Sequence, residues 1–96
     1  METPSHYFYV VLCNDGSFYG GYTNQLERRI QVHNDGKGAK YTRVRTPVIL
    51  LYSEVYDQKS DAMRAEYQFK QLKRKQKEIF LQERGVENVG TEKLST

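Results

Sequence analysis

His6 to Tyr22 reads HYFYVVLCNDGSFYGGY. Its first half, His6–Leu12, is aromatic and β-branched, a composition that fits a pleated, half-buried strand. Asn14-Asp15-Gly16-Ser17 is a strong turn signal, and residues 17–22 read as a returning strand. The stretch therefore predicts a β-hairpin. Gly20-Gly21 weaken the second strand, and glycine inside a strand marks a bulge or a close approach to the backbone. A turn centred near Asp15-Gly16 does not set Tyr9 and Tyr19 directly opposite each other. The two can still share a face, with the register left open.

Beyond the hairpin, Thr23 or Asn24 can cap a helix, and Glu27 lies three residues after Asn24 in a capping-box-like arrangement. Leu26 and Ile30 carry a short apolar stripe to about residue 34, where Asp35-Gly36 ends it. Asn34 to Pro47 is loop-rich and basic. Residues 48–56, VILLYSEVY, form the most apolar run and predict a third strand, central and covered on both faces at its start. Ser60 can cap a second helix with Ala62, Met63, Ala65, Phe69 and Leu72 along one side. A third helix, or a bent continuation, carries Ile79, Phe80 and Leu81. The order ββαβαα predicts an α+β fold, a small three-stranded antiparallel sheet flanked by helices. One domain is expected over residues 1–85, and a polar, flexible tail over residues 86–96.

The net charge of +3 is unevenly placed. Lys37, Lys40, Arg43 and Arg45 form one run without an acid, and Lys70, Lys73, Arg74, Lys75 and Lys77 form another. Two such clusters suit a phosphate-rich partner better than a membrane, although a solvated basic face reads the same way. The single cysteine, Cys13, excludes an internal disulfide framework and fits a reducing compartment. Its strand-like setting favours a buried, inert thiol. No Cys/His cluster has zinc spacing. No apolar run reaches the roughly 20 residues needed to span a bilayer, and METPSH lacks the marks of a secretory signal. The expected setting is cytoplasmic.

Three groups can carry chemistry. Tyr9 and Tyr19 offer phenols whose ordinary pKa of about 10 is lowered by a nearby cation, which fits a general base toward water. Cross-strand aromatic packing accounts for the same pair. Arg29 and His33, four residues apart, share a helix face. A guanidinium can hold a phosphodiester bidentately, and a histidine can exchange a proton near neutral pH. The same pair, beside Arg28, also reads as a solvated basic face. Glu66 falls within the apolar stripe of Ala62 and Phe69. A buried carboxylate there needs a partner, which an arginine, a tyrosine hydroxyl or a divalent cation such as Mg²⁺ can supply, the last keeping several waters and using one or two carboxylates. A Glu at the edge of the stripe instead reaches solvent or pairs with Lys70. The glycines, lysines and hydroxyls of Gly36 to Thr42 can contact a phosphate backbone without forming a P-loop.

Taken in order, Tyr7-Phe8-Tyr9, Tyr19-Gly20-Gly21, LERRIQVHNDGKGAKYT and MRAEYQFKQLKRKQKE resemble the GIY-YIG nuclease superfamily over about residues 5–83, and within it the small stand-alone bacterial members. The resemblance implies that Tyr9 and Tyr19 are the motif tyrosines, one of them the base for water. It implies that Gly21 is the motif glycine that allows close packing, that Arg29 binds phosphate, that His33 stands near the nucleophile and that Glu66 binds metal. The implied reaction is hydrolysis of nucleic-acid phosphodiesters, DNA rather than RNA, with Mg²⁺ or Mn²⁺. Tyr7, Phe8 and Gly20 depart from the motif at packing positions only. Many relatives take target specificity from an attached DNA-binding domain, which the short polar tail cannot supply.

The expectation is thus a structure-directed or weakly specific endonuclease. Lys37, Lys40, Arg43, Lys73 and Lys75 would position the backbone without reading sequence, and a protein partner would supply further specificity. The alternative is a non-catalytic nucleic-acid-binding module on the same fold. A protein-interaction domain is a third reading, for which no sequence feature speaks.

Overall fold

Alternation along one strand builds both halves of the core. The computed structural model describes residues 5–86. Here β1 (His6–Leu12) pairs antiparallel with β2 (Phe18–Thr23) on one side and β3 (Ile49–Tyr56) on the other, giving the order β2-β1-β3. Phe8 and Val10 point to one face, where they pack with Phe18, Phe69 and Leu81. Tyr9 and Val11 point to the other, with Cys13 and Val48. The first face is covered by α3 (Lys59–Lys70) and α4 (Arg74–Glu83), the second by α1 (Leu26–Asn34) through Leu26 and Ile30. This is the α+β arrangement the element order predicts. It gains one short helix, α2 (Lys40–Arg43), inside the basic loop.

The central strand is β1. The apolar run of β3 lies at an edge, contrary to the expectation that it is central and doubly covered. Ile49 is 61% exposed and Leu50 38%, whereas Phe8, Val10 and Val11 are fully buried. Hydrophobic content misleads here because it reports burial of a strand without saying which neighbours bury it. Full burial of a Phe or Val side chain stabilises by about 1.5–3 kcal/mol, so β1 anchors the domain.

Helix starts also differ from the sequence reading. α1 begins after Gln25, and Thr23 instead accepts the Gln25 N–H in a local turn (3.0 Å). α3 begins after Gln58, two residues before Ser60, and Met63 is 44% exposed, outside the packed side. The break between α3 and α4 is sharp: the Gln76 side chain accepts the Lys73 N–H (2.9 Å) and opens the last helix. Val86 packs against the α3–α4 side of the core. Residues 87–96 of the expected tail lie outside the described residues.

Two ties fix the long connection between α1 and β3. Asn34 donates to Val48 O (3.2 Å) and accepts from Val48 N–H (2.6 Å), so one side-chain amide stands in for a strand partner. At the far end, Arg45 pairs with Asp15 of the hairpin turn (2.9 Å) and donates to Tyr41 O (2.7 Å). The turn itself holds Gly16 at φ +87°, the left-handed region that glycine adopts without strain.

Candidate active site

The hairpin register places Tyr9 opposite Gly21 and Tyr19 opposite Val11, so the two tyrosines are offset along one face. A β-carbon at Gly21 would lie well under 3.0 Å from the Tyr9 hydroxyl. The glycine therefore makes room for the Tyr9 ring, which crosses over the neighbouring strand. Gly38 does the same for His33, whose ring occupies the space a β-carbon would need. Gly20 points to the other face, where the Phe69 ring lies 2.9 Å from the position of an added β-carbon.

His33 is fully buried and Tyr9 is 1% exposed. The Tyr9 hydroxyl and His33 Nε2 are 2.7 Å apart, and His33 Nδ1 is 2.8 Å from Thr42 Oγ1. The Thr42 hydroxyl in turn donates to Ala39 O (3.0 Å). A carbonyl only accepts, which fixes the direction of the whole chain. Thr42 spends its proton on Ala39, so it accepts from His33 Nδ1–H. Nε2 is then the bare nitrogen, and Tyr9 donates to it. Burial, followed by the positive charge of Arg29, pushes the His33 pKa down to about 4. The ring is neutral at pH 7, in keeping with this chain, and does not titrate near neutrality as its residue type alone suggests.

Burial pushes the Tyr9 pKa up to about 12. A hydrogen bond from Arg29 and its charge oppose this, while the charges of Tyr19 and Glu66 add to it. The charges of Arg29 on α1, Tyr19 on β2 and Glu66 on α3 thus all reach the Tyr9 oxygen on β1. Tyr19 is half-buried. Its ring meets His33 edge-on (5.6 Å between centroids) and stacks on Tyr41 (5.9 Å, 17°). Glu66 is half-buried, with its side chain 19% exposed, and pairs with Lys70 Nζ at 2.8 Å. Its stripe position thus gives it the i+4 partner its spacing allows, and it is not sealed among apolar side chains.

The basic residues expected to meet a phosphate backbone, Lys37, Lys40, Arg43, Lys73 and Lys75, are all exposed. Lys37 precedes α2, Lys40 and Arg43 lie in it, and Lys73 and Lys75 begin α4. The second basic run reaches the β2 edge, where a cavity of about 270 Å³ is lined by Lys70 and Lys77 with Phe18, Tyr19 and Gly20 of β2 and Tyr41 of α2. Thr42 and Gly38 were not legible as partners of His33. They follow it across a loop, with no periodicity to mark the contact. Cys13 is buried and free, and burial pushes its thiol pKa up.

A hairpin carrying two offset tyrosines, an arginine on the next helix and one carboxylate across the sheet edge defines a class of catalytic domain. The chain belongs to the GIY-YIG family, whose catalytic domain matches residues 5–79. That places it in a superfamily of nucleases, whose partner is nucleic acid. More particularly, it is similar to a UPF0213 protein of Bacillus cereus, 59% identical over 100% of this chain and 99% of that one. The UPF0213 protein YazA of Bacillus subtilis is 57% identical over 88% of this chain and 85% of its own. Among solved structures, a UPF0213 protein from Bacillus halodurans aligns with a TM-score of 0.60 and 47% identity, covering 96% of this chain and 98% of that one. A protein from E. faecalis aligns with a TM-score of 0.59 and 52% identity, covering 92% and 94%. Among the described residues, no helix is long and apolar enough to cross a membrane.

Proposed function

We propose that this protein is a metal-dependent endonuclease that hydrolyses nucleic-acid phosphodiesters, structure-directed or weakly specific in its choice of site. The reading is carried by Tyr19, whose ring meets His33 of the buried Tyr9–His33–Thr42 chain, with Glu66 tied to it through Lys70 and the charges of Arg29 and Glu66 felt at Tyr9. Exposure separates the two tyrosines. Tyr9 is sealed and donates to His33, so it positions the imidazole. Tyr19 is half-buried, lines the cavity and is the phenol that water can reach.

Arg29 holds the scissile phosphate through charge and paired N–H donors. Tyr19, in its ionised form, takes the proton from water as the water oxygen attacks phosphorus and the bond to the leaving oxygen breaks. The donor set fits a largely hydrated Mg²⁺ or Mn²⁺. Glu66 offers one half-buried carboxylate, and Mg²⁺ uses one or two carboxylates and keeps its remaining waters. Bound by Glu66, the cation would supply positive charge that offsets the charge developing on the phosphate. The exposed lysines and Arg43 position the backbone, contacts that carry no sequence information.

The test is cleavage of branched, nicked and single-stranded DNA and RNA with Mg²⁺ or Mn²⁺. Arg29→Ala should lower the rate about 10²–10³-fold, the scale on which loss of one donor to a developing charge is felt. Cleavage that survives Arg29→Ala and Glu66→Ala together overturns the reading. One observation favours a non-catalytic nucleic-acid-binding module. Glu66 already has a cationic partner, and no group of three or more metal-ligating side chains exists among the described residues. Salt-dependent binding without metal-dependent turnover would select that alternative.

A further inference from the structure

Lys70 belongs to two places at once. Its Nζ lies 2.8 Å from Glu66 Oε2, one turn back along α3. The same ammonium stands 5.3 Å from the Tyr19 ring centroid and lines the 270 Å³ cavity beside Lys77. No carboxylate lines that cavity. Its polar groups are two ammonium groups and two phenols, a lining that suits an anion. Lys77 makes its contact with the Phe69 ring (5.3 Å), and burial with the charges of Arg74 and Lys70 depresses its pKa. The cations at this edge repel one another, and an anion between them relieves the repulsion. A carboxylate that holds an ammonium at 2.8 Å also resists a divalent cation, because the two positive charges compete for one negative group.

We propose that Lys70 gates the metal site: it holds Glu66 in the free protein, and a backbone phosphate entering the cavity with Lys77 draws it away, leaving the carboxylate to the divalent cation. The inference rests on the reading of Glu66 as the metal ligand. Its consequence is coupling. Nucleic acid tightens metal binding, and by linkage metal tightens nucleic-acid binding by the same factor. Hydrolysis then has its cation in place only when substrate lies in the site.

Mn²⁺ binding, followed by electron paramagnetic resonance with and without a non-cleavable phosphorothioate DNA oligonucleotide, tests this without any turnover. Glu66→Gln gives the baseline for Mn²⁺ held by the oligonucleotide alone. In the unmodified protein the oligonucleotide should tighten Glu66-dependent Mn²⁺ binding about fivefold. Lys70→Met should bind Mn²⁺ about fivefold more tightly without oligonucleotide and gain nothing further from it. Lys70→Arg, which keeps the charge, should retain coupling. Lys77→Met should weaken coupling without the tighter binding of Lys70→Met. Lys70 is 42% exposed, so its variants do not disturb the core. Glu66-dependent binding that responds neither to oligonucleotide nor to Lys70→Met overturns the gate and leaves the metal site standing. The absence of any Glu66-dependent binding, in every variant, overturns both.

Discussion

The two faces of β1 are built from alternate residues of the same strand and follow opposite rules. On one, Phe8 and Val10 meet Phe69, Phe80 and Leu81, and Phe8 contacts Phe69 and Phe80 at ring distances of 5.6 and 6.2 Å. This face buries carbon against carbon. On the other, Tyr9 meets His33 and His33 meets Thr42 beside Val11, Cys13 and Val48, and the burial is shared with polar groups that must all be satisfied. Each face is sealed at its centre. Packing tolerates a change of shape at the cost of a cavity, whereas the polar chain has one proton arrangement and fails if any member loses its partner. A two-residue period thus lets one strand hold the domain together and present its chemistry within a few ångströms.

Breaking the apolar face should give the largest change. Phe69→Ala is expected to lower the unfolding free energy by about 3–5 kcal/mol, read from urea denaturation, because it empties a fully packed site beneath Gly20. A loss under 1 kcal/mol would mean that the face collapses to refill itself and is softer than its burial implies.

Acid should separate the faces next. Unfolded, His33 takes a proton near pH 6.5; folded, it resists until about 4. Between these values the unfolded chain binds more protons. The contribution is fully present above 6.5 and is lost as pH falls toward 4, to a total of about 3 kcal/mol. His33→Asn should flatten stability across that window. The α3–α4 side carries its own acid-sensitive group, Glu54. Burial alone would raise its pKa, but hydrogen bonds from Tyr52 and Tyr56 and the charge of Arg84 outweigh it and lower the value below 4.5. Its contribution therefore persists down to about 4.5 and is lost only below that. Urea midpoints at pH 7 and pH 5, compared between the unmodified protein and His33→Asn, isolate this histidine.

Thr42→Val should give the smallest of the three effects. It leaves His33 Nδ1–H without its acceptor and should cost about 1–3 kcal/mol, the penalty of an unsatisfied buried donor. The proton shift in the ring is the sharper readout. Nitrogen-15 chemical shifts of His33 should show Nδ1 protonated in the unmodified protein and a mixture of tautomers in the variant. An unchanged tautomer would place the ordering of His33 elsewhere.

Much of this contrast could be read from local pattern. The hairpin followed from Asn14-Asp15-Gly16, the helix face of Arg29 and His33 from their spacing, and the Glu66–Lys70 pair from i,i+4. Gly21 announced a close approach, though not that the approaching group is Tyr9. What stayed hidden depends on contacts far apart in the chain. The most apolar strand lies at an edge because the crossover from α1 sets it beside β1. His33 reads as a proton-exchanging surface residue until the loop carrying Gly38 and Thr42 folds over it. Its burial comes from a segment with no periodicity at all.

That loop leaves and rejoins the body of the protein at Asn34 and Val48, where one amide makes both ends of the tie. Such a neck sets the start of β3 independently of the loop's interior, which has its own tie to the hairpin through Arg45 and Asp15. Insertions and changes of charge within it need not be transmitted as a slip of β3, because the register is reset at Val48. Novelty can therefore accumulate in the basic segment while the strands keep their alignment, provided that the residues over His33 and the Arg45–Asp15 tie are spared.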